Sequence, residues 1–252
     1  MVERHIGTSS RGESVSVTVA AAGESVAAHR LAWAASVAVL LAELFILVDR
    51  PLAHYCKHYA SAMHDAVATV SSLGEAAWYL VPSLLVFLFA RFMVRWPAVA
   101  ARALFVFLAV ALAGLAADIL KFLVGRSRPW LLFREGRYDF WPLQFNADYQ
   151  SFPSGHAACA AAAALALAVV APRYRVQLLL AALLVALTRV VMVAHYLSDV
   201  VAGAALAWLV VVTVQRAFVR HGVPLGPAAG AGVVTLPSSF AQRLFGASTP
   251  VA

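Results

Sequence analysis

An all-α bundle of six membrane-spanning helices is the fold this sequence predicts, and three observations predict it. Of the 252 residues, 63% are hydrophobic and 12% charged, with a mean hydropathy of +0.82; a soluble domain carries about twice that charged fraction. The apolar residues fall into six runs, each near the length a bilayer requires. The basic residues gather between alternate runs, so a net charge of +7 reads as membrane topology, with no nucleic-acid partner.

Residues 1–28 are Ser, Gly, Ala and Val with scattered charge, read as a disordered cytoplasmic tail. The first span, Leu31 to Val48, follows His29 and Arg30. It is too long for a signal-peptide core and no small-residue cleavage pattern follows it, so it stays as an anchor. From Leu52 to Val70, the apolar residues Leu52, Tyr55, Cys56, Tyr59, Met63, Ala66, Val67 and Val70 recur at three- and four-residue steps. That periodicity predicts an amphipathic helix on the outer membrane surface. His54 and His58 sit one turn apart on its polar face with Lys57, His64 and Asp65, but no four-ligand signature accompanies them, so the face reads as solvated and no metal is assigned. Cys56 falls in an outer loop and Cys159 in a span, which argues for no disulfide framework.

The remaining spans cover Ala76 to Val94, Val99 to Leu120, Ala157 to Ala171, Val176 to Ala194 and Val200 to Val219. Arg91, Arg95, Arg102, Arg173, Arg175, Arg216 and Arg220 flank their inner ends, which puts both termini in the cytoplasm and turns the loops 49–75, 121–155 and 195–199 outward. Residues 29–220 thus form one six-span domain, and 221–252, rich in Gly, Pro, Ala and Ser, read as a second disordered tail.

Ionisable residues beside a spanning helix are costly, and here they form three clusters at the outer membrane edge. The first runs from Lys121 through Arg126 to Arg128-Pro129. The second is Pro153-Ser154-Gly155-His156, where a helix start offers unpaired N–H groups and a positive dipole end to an anion. The third is Thr188-Arg189, then His195, then Asp199. His195 and Asp199 lie one turn apart, so the carboxylate can orient the imidazole. Arg189 and His195 would sit roughly 120° apart on an unbroken helix, so the fifth span should end between them. Two histidines, a carboxylate and three cations suit phosphoryl transfer: a nucleophile, an acid for the departing oxygen, and positive groups for the equatorial oxygens.

These motifs resemble the signature of the type 2 phosphatidic acid phosphatase superfamily, PAP2, which shares its site with vanadium-dependent haloperoxidases and bacterial acid phosphatases. Lys121 to Arg128-Pro129, Pro153 to His156, and Thr188-Arg189 to His195 and Asp199 agree with it in order and spacing, with Thr188 standing where the family has Ser. The likeness covers about residues 76–215. It implies that His195 attacks phosphorus to give a phosphohistidine, that Asp199 holds its ring, and that His156 protonates the leaving oxygen and then activates water. Lys121, Arg128, Ser154, Gly155 and Arg189 would bind the phosphate, with no metal and no cofactor. Arg126 lies off the signature and is a head-group contact candidate.

A phosphate pocket at head-group depth implies a lipid phosphate or diphosphate substrate entering from the bilayer. Undecaprenyl diphosphate, phosphatidate, phosphatidylglycerophosphate and lipid A phosphates are equally open, as is the oligomeric state. The loop Trp130 to Phe152 is mostly an aromatic belt, and with Arg134 and Arg137 it is the candidate for reading the head group. The expected home is a bacterial inner membrane with the site on the periplasmic side. A phosphotransferase passing phosphate to a second lipid keeps every motif; a proton-coupled transporter instead requires ionisable residues strung across the membrane.

Overall fold

The computed structural model describes residues 31–59 and 64–226, so the first tail and residues 227–252 of the second lie outside them. The chain divides into two units. In the first, Met1–Glu43, residues 31–43 are helical.

The second unit, Leu44–Ala252, opens with a π-helical turn, Leu44–Val48, followed by α1 (Asp49–Tyr59) and α2 (His64–Ser72). Next come α3 (Ala77–Leu88) with a π turn at Phe89–Met93, α4 (Pro97–Val124) and the short α5 (Pro129–Glu135). After a 3-10 turn at Ala147–Tyr149 follow α6 (Gly155–Val170), α7 (Arg175–Val191) and α8 (Leu197–Arg220). Among the described residues, extended pairing is limited to one bridge between Arg126 and Phe140.

Residue size decides how these helices pack. The buried positions of α6 are Ala157, Ala158, Cys159, Ala160, Ala162, Ala163, Ala164 and Ala166, which cover its whole circumference. It is accordingly the central helix, packed on α4, α7 and α8. Gly203 of α8 extends this small surface: a Cβ there would stand 2.6 Å from the Ser154 carbonyl oxygen. Large side chains point the other way. Leu112, Leu115, Ile119 and Leu123 of α4 and Leu180, Leu183 and Leu184 of α7 are exposed, the inverse of a soluble protein and the surface a lipid environment favours.

Four stretches are long and apolar enough to cross a membrane: Leu31–His58, Pro97–Val124, Pro172–Val191 and Leu197–Arg220. Of the six expected spans, the other two appear as shorter apolar helices, Ala77–Met93 and Gly155–Val170. Prolines bracket the second of these: Pro153 precedes α6, and Pro172 opens the turn after it.

The region 52–70 departs from the expected surface helix. Among the described residues it is held by α1 and α2, and α1 turns Asp49, Ala53 and Cys56, at helical spacing, into the protein. Ala53 meets Leu132 and Tyr196, and Cys56 packs with Ala157, Ala186, Val190, Val193 and Val200. Cys56 is thus helical, as its place in the 52–70 periodicity predicts, and buried against the protein; it and Cys159 are both free.

Gly125 ends α4 and folds the following loop over it. Its φ of +59° is left-handed, its N–H donates to the Lys121 carbonyl at 2.9 Å, and a Cβ would fall 1.8 Å from the Trp141 carbonyl oxygen. The loop then returns across the strand-like segment 126–128. Ser127 N–H donates to Asp139 at 3.0 Å, Arg128 N–H to Asp148 at 2.8 Å and Ser151 N–H to Arg126 at 3.1 Å. These bonds bring Arg128 and Ser151 to the N-terminal ends of α6 and α8.

Candidate active site

The site forms where α4 and α7 end and α6 and α8 begin. Ser154, fully buried, is the N-cap of α6; its side chain accepts from Ala157 N–H at 3.5 Å and its own N–H donates to the Asp199 carbonyl at 2.9 Å. Gly155 opens the helix beneath Lys121: a Cβ there would lie 2.9 Å from the Lys121 Nζ. Lys121, in the last turn of α4, otherwise pairs with Asp118 at 2.7 Å.

Helix α7 ends at Val191, between Arg189 and His195, as their six-residue spacing requires. Arg189 donates to Ser71 Oγ at 2.6 Å and Arg128 to the Gln150 carbonyl at 3.4 Å. The Nε groups of both guanidiniums are buried without a partner. Arg189, His195, Lys121 and Arg128 all lie within electrostatic reach of the His156 ring, whose edge rests against Gly74. The three clusters, read from segments far apart in the chain, therefore meet in one place.

His195 is buried, and its Nδ1 stands 2.8 Å from the Ser151 carbonyl oxygen. A carbonyl only accepts, so Nδ1 carries the proton and Nε2 keeps its lone pair. The Asp199 carboxylate is 3.7 Å from Nδ1, too far for a hydrogen bond. Its oxygens accept instead from Arg126 at 2.5 Å, Ser151 Oγ at 2.6 Å and Tyr196 N–H at 2.9 Å. The ring expected to lean on Asp199 is thus held by a backbone carbonyl, with Asp199 as a nearby charge. Burial, more than any neighbour, pushes His195 down to about 4; Asp199 opposes this, while Arg128 and Arg189 add to it.

Arg126 is not a head-group contact. It is 1% exposed and held between Asp199 and Asp49. The exposed side of the loop carries Arg134, paired with Glu135 over the Trp130 ring, and Arg137, paired with Asp139 between Trp141 and Tyr149. Among the described residues, no three His, Cys, Asp or Glu side chains gather as a metal site, His54 and His58 included.

The PAP2 superfamily model matches residues 102–222. A lipid A 1-phosphatase of Rhizobium johnstonii is 35% identical over 165 residues, 61% of this chain and 67% of that protein. A lipid A 1-phosphatase of Rhizobium etli is 33% identical over 170 residues, 64% of this chain and 72% of that protein. This chain belongs to the PAP2 superfamily. Among solved structures, a transmembrane PAP2-type phosphatidylglycerolphosphate phosphatase from Bacillus subtilis shares the fold, with a TM-score of 0.53 and 21% identity, covering 74% of this chain and 96% of that one. Its apolar helices and this kinship make the PAP2 chain an integral membrane protein.

Four contributors escape motif reading: Ser151, Ser71, Asp49 and Ser198. Ser151 acts through its carbonyl, which no residue type reveals. Asp49 alone left a signal, an aspartate directly after an apolar run.

Proposed function

We propose that this PAP2 protein is a metal-independent lipid phosphatase that releases phosphate through a covalent histidine intermediate. Nε2 of His195 attacks phosphorus and the bond to the lipid oxygen breaks, while His156 donates a proton to that oxygen. Water then attacks the phosphohistidine, His156 takes its proton, and the N–P bond breaks to free inorganic phosphate. Lys121, Arg128, Arg189, the Ser154 hydroxyl and the Gly155 N–H hold the equatorial oxygens throughout. Asp199 stabilises the His195 ring as it turns cationic.

The observation that carries this reading is the convergence of Lys121, Arg128 and Arg189 on His156, two of them with unpartnered Nε groups, beside a His195 whose Nδ1 is held by the Ser151 carbonyl, which leaves the lone pair on Nε2. Lys121 already has Asp118 at 2.7 Å, but the Arg128 and Arg189 guanidiniums repel each other, and an anion held between them relieves that repulsion.

The proposed substrate is a lipid A phosphate, the class named for the two rhizobial relatives. The active site would face the periplasm of a bacterial inner membrane, with six spans and both termini in the cytoplasm. Purified protein supplied with lipid A, phosphatidate, phosphatidylglycerophosphate and undecaprenyl diphosphate should release phosphate fastest from lipid A. His195→Ala should abolish release with folding intact; activity surviving that change would remove the nucleophile. Labelled phosphate recovered on a second lipid, and not in water, would replace hydrolysis by transfer.

A further inference from the structure

Behind the proposed nucleophile lies a second layer of buried charge. Arg126 donates through Nη1 to Asp199 at 2.5 Å and Ser198 Oγ at 2.6 Å, and through Nη2 to Asp49 at 2.8 Å and Tyr138 Oη at 2.9 Å. Its guanidinium carbon stands 4.3 Å from the centre of the Tyr196 ring, 4.8 Å from Phe45 and 5.3 Å from Tyr138. Asp49 is 1% exposed; its Oδ1 accepts from Ser198 N–H at 3.0 Å and its Oδ2 from the Ser198 hydroxyl. A planar guanidinium fork wedged by three aromatic rings fixes the two carboxylates it joins.

Buried ion pairs contribute little net stability, because desolvation offsets most of their attraction. This one also leaves an imbalance. Within the directly bonded set two carboxylates share one guanidinium, a surplus negative charge that Arg128 faces only at longer range, and Asp199 brings it to within 3.7 Å of His195 Nδ1. An imidazole that bonds to phosphorus through Nε2 while Nδ1 keeps its proton carries positive charge, and the surplus is matched to that moment. Asp49 lies outside the residues 102–222 that the superfamily model matches.

We propose that Asp49 is a positioning residue for the reaction: through Arg126 it fixes the Asp199 carboxylate behind His195 and supplies the surplus negative charge that stabilises the ring during attack. This rests on the phosphatase reading above. Asp49 touches none of the phosphate-binding side chains, so its effect should fall on turnover and not on binding.

The test uses the full chain in detergent micelles, with a short-chain phosphatidate and a lipid A phosphate as substrates and inorganic phosphate as a binding probe. Asp49→Asn keeps the shape and the acceptor oxygen toward Arg126, removes the charge, and gives up the acceptor for Ser198 N–H. It should lower kcat about tenfold or more, leave KM within about twofold, and keep the thermal protection given by inorganic phosphate. Asp49→Glu should recover part of that loss. A kcat within about twofold of wild type, or a loss of phosphate protection matching the loss of kcat, overturns the proposal. If Asp49→Asn melts below the assay temperature, kcat and KM are compared with wild type below that melting point, where the same limits apply; Ser198→Ala, which keeps the Asp49 charge and its direct bond to Arg126, should lower kcat by less than Asp49→Asn, and an equal loss overturns the proposal. A wild-type chain without His195-dependent phosphatase activity overturns the parent reading; a His195-dependent chain indifferent to Asp49 overturns this one alone.

Discussion

His195 Nδ1 lies 2.8 Å from the carbonyl oxygen of Ser151 and 3.7 Å from the carboxylate of Asp199. The tautomer is therefore set by the backbone, and the carboxylate contributes charge.

Separating those two tasks has a measurable consequence. Where a carboxylate alone fixes the tautomer of a catalytic histidine, its amide variant loses about 10⁴-fold in kcat. Here Asp199→Asn should cost about 10²-fold, the charge share alone, measured as kcat on a lipid phosphate. Ser151→Ala, which spares the carbonyl and removes only the hydroxyl bound to Asp199, should cost about tenfold or less.

Acid should destabilise the fold through His195. Its folded value of about 4 lies below the ordinary 6.5, so between those two pH values the unfolded chain binds more protons. Stability then falls as pH drops from about 6.5 toward 4, by at most about 1.4 kcal/mol per pH unit. Thermal melting at pH 7 and pH 5 should show a smaller acid shift in His195→Gln than in wild type. The same depression keeps Nε2 unprotonated at pH 5, so His195 should impose no loss of kcat/KM around pH 6.5.

Two glycines packed at the start of α6, Gly155 within it and Gly203 of α8 against it, should fail differently. Gly155→Ala presses a methyl to 2.9 Å from the mobile Lys121 ammonium, so it should raise KM about tenfold by displacing that charge while melting near wild type. Gly203→Ala meets the Ser154 carbonyl at 2.6 Å, a backbone atom that cannot yield without moving the helix. It should cost about 1–3 kcal/mol of stability, visible as a lowered melting temperature.

A second glycine pair separates strain from collision. Gly125 and Gly136 both have positive φ, +59° and +71°. At Gly136 nothing lies within 4 Å of an added Cβ, so Gly136→Ala should cost about 1–2 kcal/mol. Gly125→Ala adds a clash 1.8 Å from the Trp141 carbonyl and should leave no folded protein by gel filtration.

The site was legible to the extent that chemistry is carried by residue type at fixed spacing. Lys121, Arg128, His156, Arg189 and His195 could be grouped because charged side chains beside apolar helices have few reasons to be there. Even the break in α7 followed from the separation of Arg189 and His195. Arg126 misleads for the same reason: an arginine at a membrane edge reads as exposed until its partners are known, and Asp49 lies 77 residues away.

Local sequence by itself determined the helices, their apolar character and the residue types available for phosphoryl transfer, because hydrophobic runs and helix-start residues act over a few turns. Only the tertiary structure decided that α1 turns inward, that a Ser151 carbonyl holds His195, and that Asp49 backs Arg126. The physical reason is that a backbone acceptor looks alike at every position, and a buried charge finds its counterion by packing between segments that no local pattern joins.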